Sequence, residues 1–107
     1  MFQRVITAVF LFSMLSGCSD KPIPDDLAIA SAVSQSDDYS KHEKAFIDAS
    51  KELLKNEKCS LNEFEEMGGW MKSTTTYKEE PVYFTYCGGM TISNRIYVNA
   101  STGTIFQ

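Results

Sequence analysis

At Gly68-Gly69 the hydrophobic pattern of this 107-residue chain changes period, and that change limits the fold to helices before it and strands after it. Upstream, Phe46, Ile47, Ser50, Leu53 and Leu54 recur at helical spacing, which gathers them on one face. Lys44, Asp48, Lys51, Glu52 and Lys55 fall on the other. There Asp48–Lys51 and Glu52–Lys55 offset the like-charged Asp48–Glu52 pair. Ser40-Lys41-His42-Glu43 has the S-x-x-E form of a capping box, which predicts a helix from there to about Asn56. Ser60-Leu61-Asn62-Glu63 repeats that form and opens a short helix through Met67, with Leu61, Phe64 and Met67 as its buried stripe. Glycine takes the left-handed conformation that a helix C-terminus needs, so Gly68-Gly69 ends it.

Downstream the period is two. "WMKSTTTY", "PVYFTYC", "NRIYVNA" and "TIFQ" are rich in β-branched and aromatic residues, and Lys78-Glu79-Glu80, Gly88-Gly89 and Ser101-Thr102-Gly103 separate them. This pattern predicts an antiparallel meander. Val82, Phe84 and Tyr86 share one face, and Tyr83, Thr85 and Cys87 the other. In the next strand Ile96, Val98 and Ala100 oppose Arg95, Tyr97 and Asn99. The expected class is α+β: a small domain with one or two helices packed on a three- to four-stranded antiparallel sheet. The closing "IYVNASTGTIF" is loosely similar to the last hairpin of PepSY-type and cystatin-like modules, where a strand, an Asp/Asn-x-x-x-Gly turn and a strand recur. That resemblance implies a helix laid across an antiparallel sheet. Asn99-Ala100-Ser101 also fits the glycosylation acceptor pattern, a match that the turn chemistry of these residues explains.

The first residues belong to a different object. Arg4 precedes an apolar run over 5–15 that breaks off at Leu15-Ser16-Gly17-Cys18. About 11 residues of helix reach roughly 16 Å, against the ~30 Å of a bilayer's hydrocarbon core. The run therefore reads as an export signal and not as a membrane-spanning anchor. Its end resembles the lipobox of bacterial lipoproteins: Leu, a small residue, Gly or Ala, then Cys. The resemblance implies cleavage before Cys18, a diacylglyceryl thioether on Cys18 and an acylated new amino terminus. No other cofactor is expected. Several acyl chains hold a protein where one binds only reversibly. Ser19 follows the cysteine and Asp20 stands one place too late for the inner-membrane retention signal of enteric-type sorting. The expected location is the bacterial envelope, anchored in the outer membrane and facing the periplasm.

Residues 1–17 are thus the expected signal peptide, 18–38 the lipidated cysteine with a flexible tether, and 39–107 the folded domain. The tether reading rests on Pro22, Pro24, two Asp-Asp pairs and thinly spread apolar residues, too few to offset chain-ordering entropy. With Cys18 given to lipid, Cys59 and Cys87 remain. A metal pair or a redox pair is conceivable. There is no CxxC, however, and His42 is the single histidine. A structural disulfide is the expectation for an exported domain of this size. It would close a loop of nearly thirty residues and contribute about 3.5 kcal/mol.

Catalytic chemistry finds little to work with. A lone histidine at an exposed helix start supplies neither a Ser-His-Asp nor a Cys-His arrangement. Glu65-Glu66 and Glu79-Glu80 are adjacent pairs whose side chains point apart. The two Gly-Gly pairs lack the Lys and Ser/Thr of a phosphate loop. No catalytic residue and no metal ligand is assigned, and the chain is not expected to be an enzyme. Without Arg4, nine Lys and Arg face fourteen Asp and Glu, a net charge near −5, which makes nucleic acid a poor partner.

Trp70, Tyr77, Tyr83, Tyr86 and Tyr97, with Met71 and Met90, exceed what one sheet face can bury. Trp, Tyr and Arg carry interface energy, and Arg95 lies among them. The segment after Cys87 presents Met90 and Ile92 without flanking charge. Met90, Ile92, Arg95 and Tyr97 are therefore the candidate partner-binding residues. The leading expectation is a non-enzymatic protein-binding lipoprotein, such as an inhibitor or immunity protein against a cell-wall-attacking enzyme. The alternative is an envelope accessory that supports a larger assembly.

Overall fold

The computed structural model describes residues 22–107. The lipobox and Cys18 lie outside the described residues. Helix α1 (Asp26–Val33) opens on Asp25, whose carboxylate accepts from the Ala28 N–H at 2.9 Å. The sequence reading puts this stretch in the tether. Here Ile29 and Val33 are fully buried and Ala32 nearly so, because spacings of three and four put them on one stripe against α2 and α3. That helix would not persist alone; tertiary burial of its stripe supports it. Leu27, off the stripe, is 82% exposed. Lys51 Nζ reaches Asp26 at 2.7 Å and ties α1 to α2.

Helix α2 (Tyr39–Lys55) buries Phe46, Ala49, Ser50 and Leu53. Its start departs from expectation: no Ser40–Glu43 capping box forms. The helix begins two residues earlier, behind Asp38 in the left-handed region at φ 55°. Asp38 makes no side-chain cap, and its carboxylate instead accepts a hydrogen bond from the Tyr83 hydroxyl at 2.6 Å. Burial first, and then this hydrogen bond, hold Tyr83 well above the ordinary tyrosine pKa. His42 breaks the helical dihedrals (φ −127°, ψ 26°) and sets its ring edge-on to Phe46 and Tyr83.

Helix α3 (Leu61–Met67) carries the expected capping box: Glu63 N donates to Ser60 Oγ at 3.2 Å, and Ser60 N donates to Glu63 Oε1 at 2.9 Å. Gly68 caps its end at φ 76°. Gly69 (φ 105°) has a second duty, because a Cβ there would stand 2.2 Å from Ser36 Oγ. That hydroxyl donates to Val33 O and accepts from Trp70 N, joining the end of α1 to the start of the sheet.

Four strands follow in meander order, all antiparallel: β1 (Met71–Lys72), β2 (Val82–Tyr86), β3 (Arg95–Asn99) and β4 (Ile105–Phe106). Among the described residues the architecture is α+β, three α-helices and a four-stranded antiparallel sheet with one disulfide. "WMKSTTTY" yields only the two residues of β1. After Ser73 N bonds Val82 O, the chain turns around Lys72, whose ammonium donates to Ser73 O at 2.7 Å and also lies near Tyr77 O and Lys78 O. On the inner face Tyr83 and Thr85 stand opposite Val98 and Ile96, all four buried against the helices. Trp70 fills the centre. It is fully buried, parallel to Phe46, tilted on Phe64, and its Nε1 donates to Ser50 Oγ at 3.0 Å. Cys59, ahead of α3, is bonded to Cys87 at the end of β2, with Cα atoms 5.3 Å apart.

Candidate binding face

Strand pairing decides what the outer face of the sheet carries. Met71 opposes Phe84, Phe84 opposes Tyr97, and Tyr97 opposes Phe106. One apolar row thus crosses all four strands on the side away from the helices. Beside it, toward the 88–94 loop, Tyr86 opposes Arg95. All six side chains are partly buried, neither sealed in a core nor free in water.

The rings brace one another in the geometries that aromatic quadrupoles favour. Tyr97 and Phe106 stack with centroids 5.3 Å apart, and Tyr77 comes up from the 73–81 connection to meet both edge-on. Phe84 lies edge-to-face with Tyr86 at 5.7 Å. Arg95 is laid over this group, 4.6 Å from the Phe84 centroid and 5.2 Å from that of Tyr86, a cation held on aromatic faces. Its Nε and Nη2 donate to Tyr86 Oη at 3.1 and 2.5 Å, and its Nη1 donates to Tyr97 Oη at 3.3 Å. The Tyr97 hydroxyl and then that of Tyr86 raise the guanidinium above the ordinary arginine pKa. Arg95 is in no ion pair among the described residues.

The connection from β2 to β3 is ordered by its own polar groups. Cys87 N donates to Asn94 O, and Asn94 Nδ2 donates to Gly88 O and to Thr91 Oγ1. Gly88 N donates to Glu63 Oε2 at 2.7 Å, so the residue that caps α3 also grips this loop. Hydrogen bonds from Ser60 N and Gly88 N hold the Glu63 carboxyl below its ordinary pKa. From this frame Met90 and Ile92 project, 74% and 78% exposed.

The four sequence-assigned residues therefore sit in two neighbouring places. Met90 and Ile92 stand on the loop, while Arg95 and Tyr97 lie in the outer face that begins where the loop ends. Trp70 and Tyr83, counted among the surplus aromatics, are core residues. The sequence reading counted Tyr77 and Tyr86 among the surplus aromatics without placing them in the candidate set, and it passed over Phe84 and Phe106. Alternation in "PVYFTYC" already pairs Phe84 with Tyr86, but only the register brings Arg95 onto both.

Among the described residues, no group of His, Cys, Asp and Glu is placed to hold a metal ion, and no helix is long and apolar enough to cross a membrane. No family model, curated protein or solved structure matches the chain.

Proposed function

We propose that this is an envelope lipoprotein, tethered through Cys18, whose domain is a non-enzymatic protein-binding module that inhibits or neutralises a cell-wall-attacking enzyme. One observation carries the binding reading: a row of partly buried aromatic and apolar side chains crosses the outer face of the sheet, with an arginine lodged among them. Rings with apolar bodies and polar tips bury large area at small entropy loss, and with arginine they dominate interface hot spots. The net charge near −5 of the mature chain suits a cationic partner, as enzymes acting on an anionic wall tend to be, and speeds encounter with it.

The test is capture of the partner from envelope extract by the mature lipoprotein, with binding then measured on the identified protein. Arg95→Ala and, separately, Tyr86→Ala should weaken binding roughly thirtyfold or more, as hot-spot residues do. Met90→Ser with Ile92→Ser reports the loop's share. Tyr97→Ala is a less clean probe, because it also unstacks Phe106 and Tyr77. If outer-face and loop variants all bind like wild type, the binding site lies elsewhere. For the tether, Cys18→Ser should abolish labelling by radioactive fatty acid and leave uncleaved precursor. Normal processing of that variant would sink the lipoprotein reading.

A further inference from the structure

The binding reading leaves the partner's chemistry open, and the surroundings of Arg95 narrow it. A guanidinium has five N–H donors. Three hydrogen bonds run from Arg95 to tyrosine hydroxyls, which leaves two donors, one on each terminal nitrogen, without an acceptor among the described residues. Each tyrosine accepts from Arg95 and so keeps its own O–H proton to give. The site thus holds a fixed cation, two unfilled N–H donors and two O–H donors on a partly dry aromatic floor of Phe84 and Tyr86. Every one of these groups donates.

Such a set asks for an acceptor that carries negative charge. Arg95 is the one charged residue among those that the strand register puts on the outer face. A single cation on an acidic molecule is a poor receptor for a polyanion such as nucleic acid or an anionic membrane, whose binding needs many basic contacts. One carboxylate matches the planar fork and its single charge. The apolar row beside it, from Met71 to Phe106, must be covered at the same time, which a free small acid does not do.

We infer that the partner is a protein that seats an Asp or Glu side chain on Arg95, between the Tyr86 and Tyr97 hydroxyls, with apolar residues flanking it on the aromatic row. This rests on the binding reading above. Long-range attraction then comes from the acidic body of the domain, while Arg95 acts at contact and sets the register of docking.

The test uses a random 12-residue peptide library displayed on phage and panned on the full chain in detergent. Selected peptides that compete at the outer face should share an acidic residue beside apolar ones. Changing that residue to Gln or Asn should weaken binding to wild type by about tenfold or more, and to Arg95→Gln by less than about twofold, the coupling that a direct contact produces. Tyr86→Phe and Tyr97→Phe keep the rings, and each should cost about threefold through the lost O–H donor. An unchanged melting curve for Arg95→Gln separates lost contact from lost fold. Peptides that bind the face without needing their acid overturn the carboxylate inference and leave the binding face standing. Peptides indifferent to every outer-face substitution, or none selected at all, overturn both.

Discussion

Two buried hydroxyls show how much one partner decides. Ser50 and Thr85 are both fully buried. Ser50 Oγ accepts the indole N–H of Trp70, so Ser50→Ala leaves a buried donor unmet. That variant should lose about 1–3 kcal/mol in urea denaturation. Thr85 Oγ1 has no hydrogen-bond partner among the described residues. Thr85→Val keeps the branched shape and removes a desolvated hydroxyl, so it should gain about 1 kcal/mol by the same measurement. The serine was readable from sequence as a small residue on the inward stripe of α2. Its bond to Trp70 was not, because the two residues are twenty positions apart and meet only through packing.

At the scale of elements, α1 is where local and tertiary evidence part. Residues 26–33 hold four alanine and serine positions around three apolar ones, and isolated helices this short are marginal. In the fold, the helix packs against both α2 and α3, and Ile29, Ala32 and Val33 are buried. Ile29→Ala should therefore destabilise the domain by ~2–4 kcal/mol, as large-to-small core changes do. Leu27→Ala should stay within ~0.5 kcal/mol. Equal, negligible effects in denaturant titrations would return this stretch to the tether. α3, by contrast, was legible to the residue, since Ser60, Glu63 and Gly68 act within one turn of the chain.

Across the whole molecule, the disulfide and Glu63 clamp the same two places. Cys59–Cys87 joins the end of the α2–α3 connection to the end of β2, and Glu63 joins the start of α3 to Gly88 beside it. Reduction should remove about 3.5 kcal/mol, a fall in Tm on the order of 15–25 °C for a domain this small, read by calorimetry with and without reductant. Glu63 adds a pH dependence. Its folded pKa is depressed, so between that value and the unfolded glutamate value of about 4.3 the unfolded chain binds more protons. The contribution is present above the unfolded value and is lost as pH falls through the folded one. Glu63→Gln should flatten that acid limb of stability against pH; an unchanged limb would show that the clamp carries no such linkage.

The sequence by itself determined the class of fold, the two ends of α3, the alternation of the central strands and the pairing of the last two cysteines. The first three depend on residues near one another in the chain, and the cysteine pairing was reached by giving Cys18 to lipid. Tertiary structure alone decided that Trp70 and Tyr83 are core, that α1 belongs to the domain, and that Asp38 starts α2 while bonding Tyr83. It also decided which aromatic rings Arg95 would lie on. A strand's period says which residues share a face, but register says which neighbours they meet, and register is fixed by the turn and by the burial of the opposite face. Tyr86 and Arg95 meet because Cys87 and Asn94 close the loop between them.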